Sequence, residues 1–160
     1  MRSFARYMAS SHVRRSRVFV DSSVLFAASL SRTGYARELV LLATDHPIEL
    51  ITSNYVLGET RHNLSKKAPL SLPDFMAFLT IGIFDLSDPP RQLVSDVADL
   101  IEPKDAPIVA GALAASCGWI ATFDRKHLLS EADRILRLWN LVVDEPGAII
   151  PRLELPHPND

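Results

Sequence analysis

Four short apolar runs punctuate this chain, and segments with helical spacing separate each run from the next. The runs are Arg17–Val20, Glu49–Thr52, Ile83–Leu86 and Trp119–Phe123. Their shortness and the turn residues beside them favour strands over helices. A strand that returns only after a helical crossover pairs in parallel with its predecessor. Strands this apolar are expected to be covered on both faces. The chain is therefore expected to form an α/β fold, a three-layer α/β/α sandwich around a mostly parallel central sheet, with Leu141–Val143 as a last edge strand.

The helices follow from periodicity and punctuation. Ser22 and Ser23 are cap residues ahead of a helix at Val24–Leu30, and Ser31-Arg32-Thr33-Gly34 breaks it. Tyr35–Thr44 is a second helix; Ser53 or Asn54 caps a third that runs to about Lys67. Pro73 suits the first turn of a helix at Leu72–Thr80. Arg91–Leu100 is amphipathic. Asp105 is expected to cap a buried helix with Pro107 in its first turn, and Cys117-Gly118 to end it. Lys126–Leu136 is a short helix, and Asp144-Glu145-Pro146-Gly147 turns the chain.

A chain of 160 residues suits one domain with a real core. Its bounds are drawn at residues 17–150, after a basic arm at 1–16 and before a tail at 151–160. The arm carries Arg2, Arg6, Arg14 and Arg15 and no acid, with Arg17 at its border, so the remainder is acidic. The arm is a candidate nucleic-acid contact, or else a solvated leader, since Met8 inside it is an alternative start. No apolar stretch reaches membrane-spanning length. Cys117 is the sole cysteine, which excludes an internal disulfide and a cysteine-based zinc site. The histidines are scattered, and a cytoplasmic setting is expected.

Four acids stand out against this frame. Asp21 ends the first strand, Glu59 lies among the apolar positions of the third helix, Asp105 opens the most apolar helix, and Asp124 follows the fourth strand. Taken singly, each has an ordinary reading: Asp21 and Asp105 as caps, Glu59 as a solvated residue, Asp124 as the start of a turn. Jointly they converge beyond the carboxyl ends of the strands, where open α/β sheets bind ligands. Neighbouring carboxylates resist joint ionisation without a cation. An oxygen-rich anionic site suits Mg²⁺ or Mn²⁺, and metal-assisted phosphodiester hydrolysis is the chemistry such a site supports.

The motifs around these acids resemble those of PIN-domain ribonucleases, the family that includes the toxins of VapBC-type toxin–antitoxin pairs. They are Val20-Asp21-Ser22-Ser23-Val24-Leu25, Thr52-Ser53-Asn54-Tyr55-Val56-Leu57-Gly58-Glu59, Lys104-Asp105-Ala106-Pro107-Ile108-Val109-Ala110-Gly111-Ala112, and Ile120-Ala121-Thr122-Phe123-Asp124. Their order and spacing cover residues 17–145. The resemblance implies that Asp21, Glu59, Asp105 and Asp124 hold one or two Mg²⁺ or Mn²⁺ ions and are catalytic. It implies single-stranded or structured RNA as substrate, a protein antitoxin as partner, a homodimer, and no membrane association. Many relatives carry a further acid shortly after the fourth motif, where this chain has Arg125-Lys126-His127.

Ser22 and Thr122 are the hydroxyls expected to orient the carboxylates, with capping and strand propensity as their ordinary readings. Arg61, Arg125 and Lys126 are candidate phosphate contacts, or plain surface charges. His62 and His127 are set aside as general bases. Trp119, Trp139, Phe75, Phe78 and Leu79 are read as core, the last three also as dimer surface. Other functions weighed are a PIN-fold RNA-binding or processing module, an aspartyl-nucleophile phosphatase and a phosphoacceptor signalling domain. The phosphatase chemistry wants a second acid two residues after the first, where Ser23 stands; the phosphoacceptor domain wants an acidic pair before the first helix, which is not evident.

Overall fold

The computed structural model describes residues 14–153. Five strands form one sheet: β1 (Arg14–Val20), β2 (Glu49–Thr52), β3 (Phe84–Leu86), β4 (Cys117–Ala121) and β5 (Val142–Asp144), in the spatial order β3-β2-β1-β4-β5. Every pairing is parallel, with Val18 opposite Leu50 on one side and Trp119 on the other. Parallel neighbours need crossovers, and helices supply them: α1 (Ser22–Leu30), α2 (Tyr35–Asp45), α3 (Asn54–Lys67), α4 (Leu72–Thr80), α5 (Arg91–Ala98), α6 (Ala106–Ala114), α7 (Ala132–Trp139) and α8 (Pro146–Ile149). The arrangement is the three-layer α/β/α sandwich.

The central strands are buried on both faces. Val18, Phe19, Val20, Leu50, Ile51, Ile120 and Ala121 are fully inaccessible, which explains why they read as continuous apolar runs rather than alternating ones. Helix α6 packs across β1, β2 and β4. Its approach is close: a Cβ at Gly111 would stand 2.8 Å from the ring of Phe19. Trp119, Trp139, Phe75 and Phe78 are buried, as expected, and Leu79 packs against the core. Among the described residues no helix is long and apolar enough to cross a membrane.

Several boundaries differ from expectation, each for a physical reason. β1 starts at Arg14, three residues early; residues 1–13 of the basic arm lie outside the described residues. Arg17 is bound into the fold: its Nε donates to Ala115 O at 2.8 Å and its guanidinium pairs with Glu49. Cys117-Gly118 does not end α6 but begins β4, because Ser116 (φ 56°) has already reversed the chain. Burial pushes the Cys117 thiol up to about 12, so it is inert at neutral pH. The helix expected at Lys126–Leu136 starts at Ala132 instead, after a turn held by Ser130 Oγ on His127 O (2.6 Å). Past Pro146 the chain forms α8, and Leu153 is buried against the core.

Candidate functional site

The chain runs from β1 outward to β2 and β3, then crosses back to place β4 on the other side of β1. That reversal opens a crevice beyond the carboxyl ends of β1 and β4, where a parallel sheet binds its ligands. The two strand ends are joined there by Asp21 N donating to Ala121 O at 3.1 Å.

Asp21 is buried, at 6% exposure. Its backbone carbonyl accepts from Val24 N and Leu25 N and so opens α1, but its side chain caps nothing. Oδ2 instead accepts from Thr122 Oγ1 (2.7 Å) and Ser23 Oγ (3.1 Å). These hydroxyls are themselves anchored: Thr122 Oγ1 accepts from Asp124 N at 3.0 Å and Ser23 Oγ from Phe123 N at 2.9 Å. Burial pushes the Asp21 carboxyl above its usual range, the hydroxyl donors pull it back, and the charge of Glu59 adds to the rise.

Glu59 sits in the second turn of α3. The expectation that it interrupts an apolar face is corrected: it is exposed on the crevice side, and Ser22 Oγ donates to its Oε1 at 3.0 Å. Ser22 thus serves Glu59, and Ser23, read from sequence as a cap, serves Asp21. The second of two adjacent serines after a strand-ending Asp was the available signal.

Asp105 was expected to cap α6. Its backbone is already helical (φ −88°, ψ −14°) and its side chain makes no cap bond. The carboxyl is buried at 5% exposure, and Oδ2 has no hydrogen-bond partner. Burial first, then the neighbouring Glu131 carboxyl, push Asp105 up to about 7, against the opposing pull of His127. Glu131 Oε1 accepts from Glu102 N at 3.2 Å, while Oε2 is buried without a partner. Nothing in the local sequence flags Glu131; only the fold brings it to Asp105.

Asp124 does begin a turn: Oδ1 accepts from His127 N at 3.2 Å, and His127 Nδ1 lies 3.1 Å from both carboxylate oxygens. His127, set aside from sequence, therefore belongs to the crevice wall through Asp124.

All four acids line one cavity of about 530 Å³, together with Phe26, Tyr55, Asn63, Lys67, Lys104 and His127 among others. Arg61, Arg125 and Lys126 do not line it. Arg61 reaches Met76 Sδ at 3.5 Å and Arg125 pairs with Glu145 at 3.2 Å. Among the described residues no three His, Cys, Asp or Glu side chains converge tightly enough to hold a metal ion as they stand. The donor chemistry nonetheless fits a hard divalent cation: carboxylate oxygens of one sign, one of them buried and without a partner.

A family model described as PIN domain matches residues 17–126. No curated protein matches the chain. Ten chains among the solved structures match, two of which illustrate the shared fold. One is VapC20 of Mycobacterium tuberculosis, described as a sarcin–ricin loop cleaving toxin. It is 19% identical, with a TM-score of 0.51 over 68% of this chain and 91% of that one. The other is PAE2754 of Pyrobaculum aerophilum, 19% identical, with a TM-score of 0.57 over 88% of this chain and 97% of that one.

Proposed function

The chain belongs to the PIN-domain family, and from that premise we propose that it is a divalent-cation-dependent endoribonuclease that cleaves single-stranded RNA as the toxin of a toxin–antitoxin pair. One observation carries the reading. Four acids from four separate segments line one crevice at the carboxyl edge of β1 and β4, and one of the two buried ones, Asp105, keeps an oxygen without a partner.

Asp21, Glu59, Asp105 and Asp124 would hold Mg²⁺ or Mn²⁺. Ser23 and Thr122 fix the orientation of Asp21, and Ser22 that of Glu59. Glu59 is exposed and Asp124 partly so, which leaves both room to move toward an ion shared with the buried pair. A bound divalent cation supplies an activated water at neutral pH and a counter-charge for the phosphoryl transition state. His127, hydrogen-bonded to Asp124, fixes the orientation of that carboxylate. An antitoxin that inhibits the enzyme would cover this crevice. A homodimer would use the apolar segment 72–84, where Met76 and Ile81 are exposed at 43% and 62%.

The experiment is cleavage of single-stranded RNA by the purified, inhibitor-free protein with Mg²⁺ or Mn²⁺, beside Asp21→Asn. Removing a ligand removes several kcal/mol of charge stabilisation, so the variant should lose orders of magnitude in rate. Cleavage undiminished in excess EDTA, or by Asp21→Asn, would end this reading.

A further inference from the structure

Helix α3 turns a single row of side chains into the crevice. Tyr55, Glu59, Asn63 and Lys67 recur every four residues and all line the cavity. Residues at this spacing form one slanted ridge on a helix. At 1.5 Å per residue the ridge is ~18 Å long. Its chemistry changes in order: a phenol ring, a carboxylate, an amide, an ammonium. Lys104, next to the buried Asp105, lines the same cavity.

Three features of this row are not explained by the fold. Lys67 and Lys104 share a cavity with four acids, yet among the described residues neither makes an ion pair. Both are exposed. Ammonium groups left unpaired beside carboxylates remain available to an anion. Tyr55 is 56% exposed at the other end of the row, close enough to Glu59 to feel its charge. A large exposed aromatic ring is a flat platform, and every nucleobase has a face that stacks on one.

The geometry points to the α3 row as a linear docking track for an unpaired RNA strand, with a base stacked on Tyr55, the scissile phosphate opposite Glu59, and a phosphate farther along the strand held by Lys67 and Lys104. The inference rests on the nuclease reading above and gives it a strand direction along α3. A base held on Tyr55 is out of its own stack, so a duplex cannot occupy the track without unpairing. Selection for single strands follows from the ring, and the lysines add affinity without sequence preference.

The test is equilibrium binding of a fluorescent RNA of about eight nucleotides, within the usual site size of single-strand binders. It is measured in the Asp21→Asn background with EDTA, so that no cleavage intervenes, at several salt concentrations. Each phosphate contact contributes about 0.7 to the slope of log affinity against log salt for single strands. The Lys67→Gln/Lys104→Gln double variant, which loses the one phosphate these two side chains hold, should therefore lower the slope by about 0.7. Its affinity at low salt should fall at least tenfold. Tyr55→Leu should weaken binding about tenfold with the slope unchanged, because stacking releases no counterions. A hairpin of the same length should bind more weakly than the open strand. Melting temperatures equal to that of the Asp21→Asn parent show that the variants fold. Binding by that parent with an unchanged slope in the lysine variant overturns the track alone. Absence of RNA binding by the parent overturns the nuclease reading and the track with it.

Discussion

Asp105→Asn should make the cation-free protein more stable at alkaline pH, although it removes a residue of the proposed active site. The Asp105 carboxyl is buried, touches the Glu131 carboxyl, and is pushed up to about 7 from 3.8. An acid raised in the folded state keeps a proton that the unfolded chain releases. Below 3.8 both states are protonated and the group costs nothing. The penalty grows as pH rises through the interval and is complete above about 7. A gap of about three decades in proton affinity, at ~1.4 kcal/mol per decade, sets an upper figure of ~4 kcal/mol. Asn removes the charge that burial and the Glu131 carboxyl penalise. No cap is lost, because Asp105 caps nothing. For a chain of this size each kcal/mol moves the melting temperature by about 2–4 °C. Calorimetric melting in EDTA should show the variant several degrees above wild type at pH 8 and the difference closing by pH 4. A variant less stable than wild type at pH 8, or a gap constant across pH, would refute the account of a strained buried acid. Added Mg²⁺ should reverse the order by stabilising wild type and leaving the variant nearly unmoved.

Gly111→Ala should destabilise by ~1–3 kcal/mol, because the new methyl overlaps a Phe19 ring that the core holds on all sides; chemical denaturation showing no loss would mean that α6 has room to retreat from the sheet. Sedimentation at micromolar concentration should show a homodimer, and Ile81→Glu, at an exposed apolar position of segment 72–84, should shift it toward monomer; a wild-type monomer would remove the dimer from the reading.

The fold was legible where turn chemistry marks the boundaries. β2 at Glu49–Thr52 is bracketed by His46-Pro47 and the Ser53 cap, whose Oγ accepts from Val56 N at 3.2 Å, and α4 begins beside Pro73. It was misread where one residue type carries two meanings. Cys117-Gly118 looks like a helix stop, but pairing with β1 makes it a strand. Asp105 sits where a cap belongs, but its backbone is already helical, so the side chain turns inward. The positions of the four acids around one crevice could be anticipated because strand ends and helix starts locate them. Their neighbours could not. Ser23, Glu131 and His127 act across contacts set by the packing of β4, α6 and the turn before α7. The α3 row was readable as a spacing of four, but only the cavity shows which side of the helix faces it.

The hydrogen bond from Thr122 to Asp21 spans 101 residues, and β4 joins the sheet only after both crossovers on the far side of β1 are complete. During synthesis, Asp21 and Glu59 emerge from the ribosome well before Asp105, Thr122 and Asp124. Until β4 slots in beside β1, Asp21 lacks one of the two hydroxyls that aim it and the crevice lacks one wall. In the proposed nuclease this order of emergence is a safeguard. The half-made site stays silent while the first four segments are being threaded out, and it is completed only when β4 takes its place.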